Sequence, residues 1–239
     1  MKNPKSILIV LFALFLIVGC STSNDSNEKP PTPNAPNETS ITVTDTDGNI
    51  YQTVTICNQV WTKTNLNVSH YRNGDVIPQV TDPTEWVNLT TGAWCYYNNE
   101  TANGTTYGKL YNWYAVNDSR GLAPNGWHVS TDAEWTTLGN CLQGAVAGKM
   151  KEAGTAHWAS PNIDATNSSN FTGLPGGLRY FYNGSGVFRA IGNYGYWWTS
   201  SEYNATLAMP RYLGQYLSNS YSSHDFDKYN GFSVRCLKD

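Results

Sequence analysis

Hydrophobic residues follow three regimes along this chain. Ile7 to Val18 (ILIVLFALFLIV) is unbroken apolar sequence, and Ser21 to Ser40 (STSNDSNEKPPTPNAPNETS) holds no large apolar residue. From Ile41 onward, apolar and polar positions interleave at short period. There Ile41-Thr42-Val43-Thr44-Asp45 alternates like a strand, Asp47-Gly48 signals a hairpin turn, and Tyr51 to Ile56 reads as the second strand. Val60-Trp61 and Asn65-Leu66 continue the extended stretch. Residues 67–112 are rich in Asn, Thr, Gly and Tyr, with turn signals at Asn73-Gly74 and Asn103-Gly104. One helix is plain: Ser130 or Thr131 serves as N-cap and Glu134 completes a capping box. Trp135, Leu138 and Leu142 then share a face, with Cys141 beside them. A second short helix is expected from Val146 to Glu152. Beyond Phe171 the chain reads as short strands and loops. It closes on Phe232, Val234 and Cys236, whose alternation predicts a half-buried terminal strand. The fold class expected for residues 41–239 is α+β, one domain with long loops.

The first two regimes read as export and tethering. Lys2 and Lys5 precede the apolar run and Gly19-Cys20 follows it. A basic start, a short apolar run and a small residue before the cut predict a signal peptide over residues 1–19. The run falls short of the ~20 apolar residues that span a bilayer. Ile17-Val18-Gly19-Cys20 resembles a lipobox, which implies lipidation at Cys20. Each buried CH₂ contributes roughly 0.8 kcal/mol, and stable anchoring takes more than one acyl chain. The membrane is thus an expected partner, through the N-terminal lipid. Residues 20–40 are expected to form a lipid-anchored stalk. They bury too little surface to offset their conformational entropy, and their prolines keep them semi-extended. Ser21 does not resemble the Asp that retains some lipoproteins at inner membranes. The expected location is the bacterial envelope, at the outer membrane and facing the cell surface.

Composition narrows the function. Charged residues make up 14% of the chain, against about a quarter ordinarily. The net charge of −3 supplies no basic patch, so no nucleic-acid partner is expected. Aromatics are abundant, with 9 Trp and 16 Tyr. Tyr and Trp among Asn, Ser and Gly make recognition surfaces, while filling a core is the simpler role for most tryptophans. Beyond Cys20, Cys57, Cys95, Cys141 and Cys236 read as two disulfides in an exported chain, with three possible pairings. Free buried thiols are the alternative. No C-x-x-C, G-x-S-x-G, H-E-x-x-H or P-loop is present. Neither metal nor cofactor is expected.

Six segments occur in a recognisable order: Asn58-Gln59-Val60-Trp61-Thr62 with Asn65-Leu66, Tyr107-Gly108-Lys109-Leu110-Tyr111-Asn112-Trp113, Pro124 to Trp135 (PNGWHVSTDAEW), Leu174-Pro175-Gly176-Gly177, Trp197-Trp198-Thr199-Ser200-Ser201, and Ser233-Val234-Arg235-Cys236. Together they resemble the Fibrobacter succinogenes major paralogous domain, from about residue 43 to the C-terminus. That family is similar to the C-type lectin-like fold, including its sulfatase-modifying branch. The resemblance implies a Cys141–Cys236 disulfide, and with it Cys57–Cys95. It also raises two activities that the residues do not support. Copper-dependent relatives of the fold use a pair of nearby cysteines, and iron-dependent ones a histidine cluster. Here Cys236 has no neighbouring cysteine, and His70, His128, His157 and His224 are scattered. His128 reads as a structural hydrogen-bonding residue. The Glu-Pro-Asn, Gln-Pro-Asp and Trp-Asn-Asp triplets of sugar-binding C-type lectins are absent. The protein is therefore not expected to be an enzyme. An oxidase-like enzyme and a purely structural envelope protein are the alternatives.

Between Gly192 and Gly231 the polar positions are dominated by Tyr, Asn, Ser, Asp and His. The exposed contacts expected there are Tyr194, Tyr196, Tyr203, Asn204, Tyr212, Gln215, Tyr216, Asn219, Tyr221, His224 and Asp225, on a frame of Trp197, Trp198, Phe232 and Val234. This composition also resembles the variable region of retroelement-diversified proteins, although an ordinary polar loop explains it as well. The expected ligand is an external glycan or protein, since aromatic rings serve both.

Overall fold

The alternation at the start of the domain becomes β1 (Thr42–Thr44) and β2 (Ile50–Ile56), an antiparallel hairpin with Val43 opposite Tyr51. Asp45 closes its turn. One carboxylate oxygen accepts from the Asp47 and Asn49 amides, and the other from the Tyr51 hydroxyl. These coordinates are a computed structural model that describes residues 41–219, 221–222 and 226–239. The expected signal peptide, Cys20 and the stalk lie outside the described residues, as do His224 and Asp225.

β3 (Gln59–Thr62) follows β2, and then α1 (Pro83–Val87), β4 (Trp94–Cys95), α2 (Thr101–Tyr107), β5 (Leu110–Tyr111) and α3 (Trp113–Val116). Next come β6 (Trp127–Val129), α4 (Asp132–Leu142), α5 (Val146–Met150), β7 (Leu178–Tyr182), β8 (Ser185–Arg189), β9 (Tyr194–Glu202) and β10 (Leu207–Gly214). β11 (Tyr221–Ser222), β12 (Phe226–Asp227) and β13 (Cys236–Lys238) complete the order. The largest sheet runs β1-β2-β3-β13-β6, antiparallel throughout, so the C-terminal strand seats between segments from the first half of the domain. A second sheet centres on β10, with β9 along one edge and the short β11 and β12 along the other. β4–β5 and β7–β8 form separate pairs. The architecture is α+β.

Helix α4 starts where the capping box places it. The Thr131 hydroxyl accepts from the Glu134 amide, and the Glu134 carboxylate accepts from the Thr131 amide. α5 ends at Met150, two residues before the expected boundary. The terminal strand departs further from expectation. Residues 231–233 make only isolated bridges, to Arg179, Tyr111 and Trp197, and the ladder begins at Cys236. The segment is not half-buried either, because Ser233 and Arg235 are as buried as Phe232 and Val234. Interior polar partners on both sides of the strand replace the solvent that alternation implied.

All nine tryptophans are 7% exposed or less. They are frame, and most turn their N–H groups to internal oxygens of loops and strands. Trp94 donates to Ile77 O, Trp113 to Thr199 O, Trp158 to Gly173 O and Trp198 to Tyr111 O. Buried cations act the same way. Lys151 donates to three carbonyls, of Ile163, Gly214 and Leu217. Arg179, stacked on Trp86, donates to the carbonyls of Val80 and Thr81. Long loops leave backbone carbonyls that no ladder satisfies, and a buried unpaired one is costly. Indoles and cations meet that need here.

Asn65 is the hub of this scheme. Its oxygen accepts from Trp197 Nε1 at 2.8 Å and Arg235 Nε at 2.7 Å. Its nitrogen donates to Tyr107 O at 2.8 Å and Ser233 Oγ at 3.1 Å. Four of the six recognisable segments meet at this one side chain. They are the grammar of the frame.

The structure corrects the cysteine pairing. Cys57 is joined to Cys141, while Cys95 and Cys236 are free and buried. Face parity on β13 explains why. Leu237 packs with Trp135 and Leu138 of α4, whereas Cys236 lies in the other core cluster, with Tyr111 and Phe232. Successive residues of a strand face opposite ways, so Cys236 points away from the helix that carries Cys141. Cys57, in the turn between β2 and β3, has its Cα 6.7 Å from that of Cys141. This lies within bridging range.

His128 is structural, as expected. One ring nitrogen meets Asp239 at 2.7 Å and the other Glu134 at 2.9 Å, linking the C-terminus to the start of α4. Partial burial pulls its pKa down, but the two carboxylates outweigh it and the net shift is upward from 6.5. A raised folded-state pKa stabilises the fold fully below the unfolded value and loses that stabilisation as pH rises through the folded value. Stability should therefore fall as pH rises from 6 to 8. In His128→Gln that component should vanish, as paired urea titrations at the two pH values would show.

Candidate ligand-binding face

β9 and β10 are aligned so that Tyr196 lies opposite Tyr212, Trp197 opposite Arg211, and Trp198 opposite Pro210. Alternation then divides the chemistry between two faces. Trp197, Arg211 and Leu213 turn toward α4. Arg211 pairs there with Asp132, Nε to Oδ1 at 2.6 Å, and donates to Thr136 Oγ1. Tyr194, Tyr196 and Tyr212 share the other face and are half-buried. A bulge between Ala208 and Pro210 absorbs the proline, which has no N–H for the ladder.

The three tyrosines touch one another. Ring centroids are 5.9 Å apart for Tyr194–Tyr196, 5.4 Å for Tyr196–Tyr212 and 6.4 Å for Tyr194–Tyr212. Tyr196 stacks on Phe232 at 5.3 Å and meets Phe226 at 5.8 Å. A Cβ on Gly214 would lie 2.6 Å from the Tyr194 ring, so glycine is required where that ring covers the strand end. Burial, then the neighbouring Tyr194 and Tyr212, push the Tyr196 hydroxyl up to about 12. Tyr196 is thus neutral at physiological pH, wedged between the other two tyrosines and the phenylalanines.

The structure brings only part of the expected contact set together. Tyr216 is 59% exposed just beyond this end of the sheet. Tyr203 and Asn204 lie at the opposite end of β9, roughly 30 Å away at strand rise. Asn204 is committed to its turn, accepting from the Thr206 and Leu207 amides. Asn219 lines a cavity of about 270 Å³ on the α4 side, with Trp135 and Arg211. The backbone of Tyr221 pairs with that of Tyr212. Gln215 corrects the expectation of an exposed contact. It is 8% exposed, its side-chain nitrogen is directed at the Ala159 and Ser160 carbonyls, and its backbone carbonyl accepts from the Ile163 amide. It holds the 159–163 loop. Trp197, Trp198, Phe232 and Val234 are fully buried, as a frame requires. The contributor that sequence reasoning missed is Phe226, which supports Tyr196 from β12. Its short strand gave no period to read.

Among the described residues, no group of three or more His, Cys, Asp or Glu could hold a metal ion, and no helix is long and apolar enough to cross a membrane. Neither the curated proteins nor the solved structures returned a match to this chain. A model of one family does match, over residues 54–238, a span that takes in every one of the six segments and the whole tyrosine face. The chain belongs to the Fibrobacter succinogenes major domain family.

Proposed function

We propose that this protein is a lipid-anchored receptor of the bacterial cell envelope, held in the outer membrane through Cys20. In this reading it binds an external protein through the tyrosine end of the β9–β10 sheet, and it is not an enzyme. The observation that carries this is the packing of Tyr194, Tyr196 and Tyr212. Sugar stacking needs an open ring face, but Tyr196 stacks on both Tyr194 and Phe232, and Tyr194 also lies against Gly214. Half-buried tyrosines on a rigid frame suit a protein surface better, since they give contact area at low entropic cost. The exposed Tyr216 extends the patch. A C-type lectin-like fold is part of the proposal. It is supported by the terminal strand seated between β3 and β6, by the T-x-x-E-W helix start, and by a second sheet flanked by long loops.

A photo-crosslinking side chain at position 216, in intact cells with the natural partner present, should yield one discrete adduct. The same group at exposed Thr55 should yield none. Tyr212→Ala should weaken the partner's affinity by about 30-fold, the scale of an interface hot spot. No adduct at 216, or glycan binding that Tyr212→Ala abolishes, would contradict the protein-ligand reading.

A further inference from the structure

A cleft of about 240 Å³ lies between the β1–β2 turn, residues 64–67 and the C-terminal end of α2. Asn49, Ile50 and Tyr51 form one wall, Thr64, Asn65 and Asn67 the next, and Gly104, Thr105, Thr106 and Gly108 the third. None of these side chains is charged. Ligand pockets for drug-sized molecules begin at ~300 Å³, so the space suits one small ring.

The walls are rigid for identifiable reasons. Asn65 is held by its four hydrogen bonds to the core. The Tyr51 hydroxyl donates to Asp45 and accepts from the Asn67 amide. Asn49 is pinned through its nitrogen to Asp45. α2 ends at Gly108, whose φ of +75° and 2.8 Å clearance from Leu66 O admit no side chain. That abrupt end sends the Lys109 amide to Leu66 O, leaving the Thr105 carbonyl without the helical donor it would otherwise have. The side-chain oxygen of Asn67, another lining residue, is buried and accepts from no described residue. Exposed hydroxyls of Thr64, Thr105 and Thr106 rim the opening, and Ile50, 70% exposed, supplies an apolar ledge.

We infer that this cleft is a ligand site, separate from the tyrosine face, that takes a single neutral sugar residue. Amide, hydroxyl and carbonyl groups in fixed positions match a molecule carrying several hydroxyls, each both donor and acceptor. Ile50 meets the C–H face of such a ring. The uncharged lining gives a carboxylate, phosphate or ammonium ligand no counter-charge, and it lacks the carboxylates that calcium sites use. The site does not depend on the tyrosine-face reading.

The test is saturation-transfer NMR on the intact lipoprotein in a zwitterionic detergent, with glucose, galactose, mannose and N-acetylglucosamine as probes. At least one should bind with a Kd of about 1 mM. Thr64→Trp and Thr105→Trp, at exposed positions on different walls, should each weaken it more than tenfold while leaving the melting temperature unchanged. Tyr216→Ala should have no effect. Absence of transfer to all four sugars would overturn the assignment. So would transfer that survives both tryptophan variants or is lost in Tyr216→Ala.

Discussion

Arg235→Met is expected to cost about 4 kcal/mol of folding stability, near the upper end for a single substitution. Arg235 is fully buried and its partners are four oxygens, none of them a carboxylate: Asn65 Oδ1, Thr62 O, Phe171 O and Thr172 O. Its guanidinium also lies 4.5 Å from the centre of the Phe171 ring. Burial pulls its pKa down to about 9, so it stays charged at neutral pH. Methionine keeps much of the volume but takes the guanidinium donors from the Thr62, Phe171 and Thr172 carbonyls and leaves Asn65 Oδ1 with Trp197 alone, and each orphaned acceptor costs about 1–3 kcal/mol before relaxation. Arg235→Lys should recover less than half, because an ammonium cannot reproduce the planar fork. Arg189→Met, at an exposed position, should stay within about 0.5 kcal/mol. Urea denaturation of the three variants checks this, and a loss below 1 kcal/mol in Arg235→Met would show that the carbonyl network does not carry the fold.

The second large effect concerns the disulfide. Cys57 and Cys141 are 84 residues apart, and closing so long a loop stabilises by about 4.5 kcal/mol in the chain-entropy model. The bridge ties the β2–β3 turn to the last turn of α4, above the cluster that holds Ile56, Trp61, Trp135 and Leu138. Because those residues already pack together, Cys57→Ser/Cys141→Ser should fold, but with about 3–4.5 kcal/mol less stability. Reduction of the wild type should lower it equally. If the double variant matches the wild type, the predominant bridge lies elsewhere.

How much of this was legible in sequence depended on whether the determining contact was local. The α4 cap is a three-residue interaction, so Thr131 and Glu134 declared it. The β1–β2 hairpin was equally readable from Asp47-Gly48. α1, α2 and α3 span only five, seven and four residues, too short for a helical period to show. Asp82 before Pro83 was nevertheless a usable start signal, since its carboxylate accepts from the Thr84 and Glu85 amides. The bridge to Cys141 was not legible, because it turns on which face of β13 Cys236 occupies. The contact set was read as one continuous stretch, yet nine-residue β9 carries Tyr203 far from Tyr194 and tertiary packing buries Gln215. The sugar cleft escaped notice because its walls come from three separated segments, each of which looks like ordinary loop.

In the proposed reading the chain leaves the cytoplasm, is acylated on Cys20 and oxidises one cysteine pair outside. Counting thiols by mass after alkylation, in separated membrane and soluble fractions, tests all three points together. The prediction is a membrane-bound species that takes two alkyl groups when denatured without reductant, at Cys95 and Cys236, and four after reduction. A soluble species that takes five without reductant would contradict it.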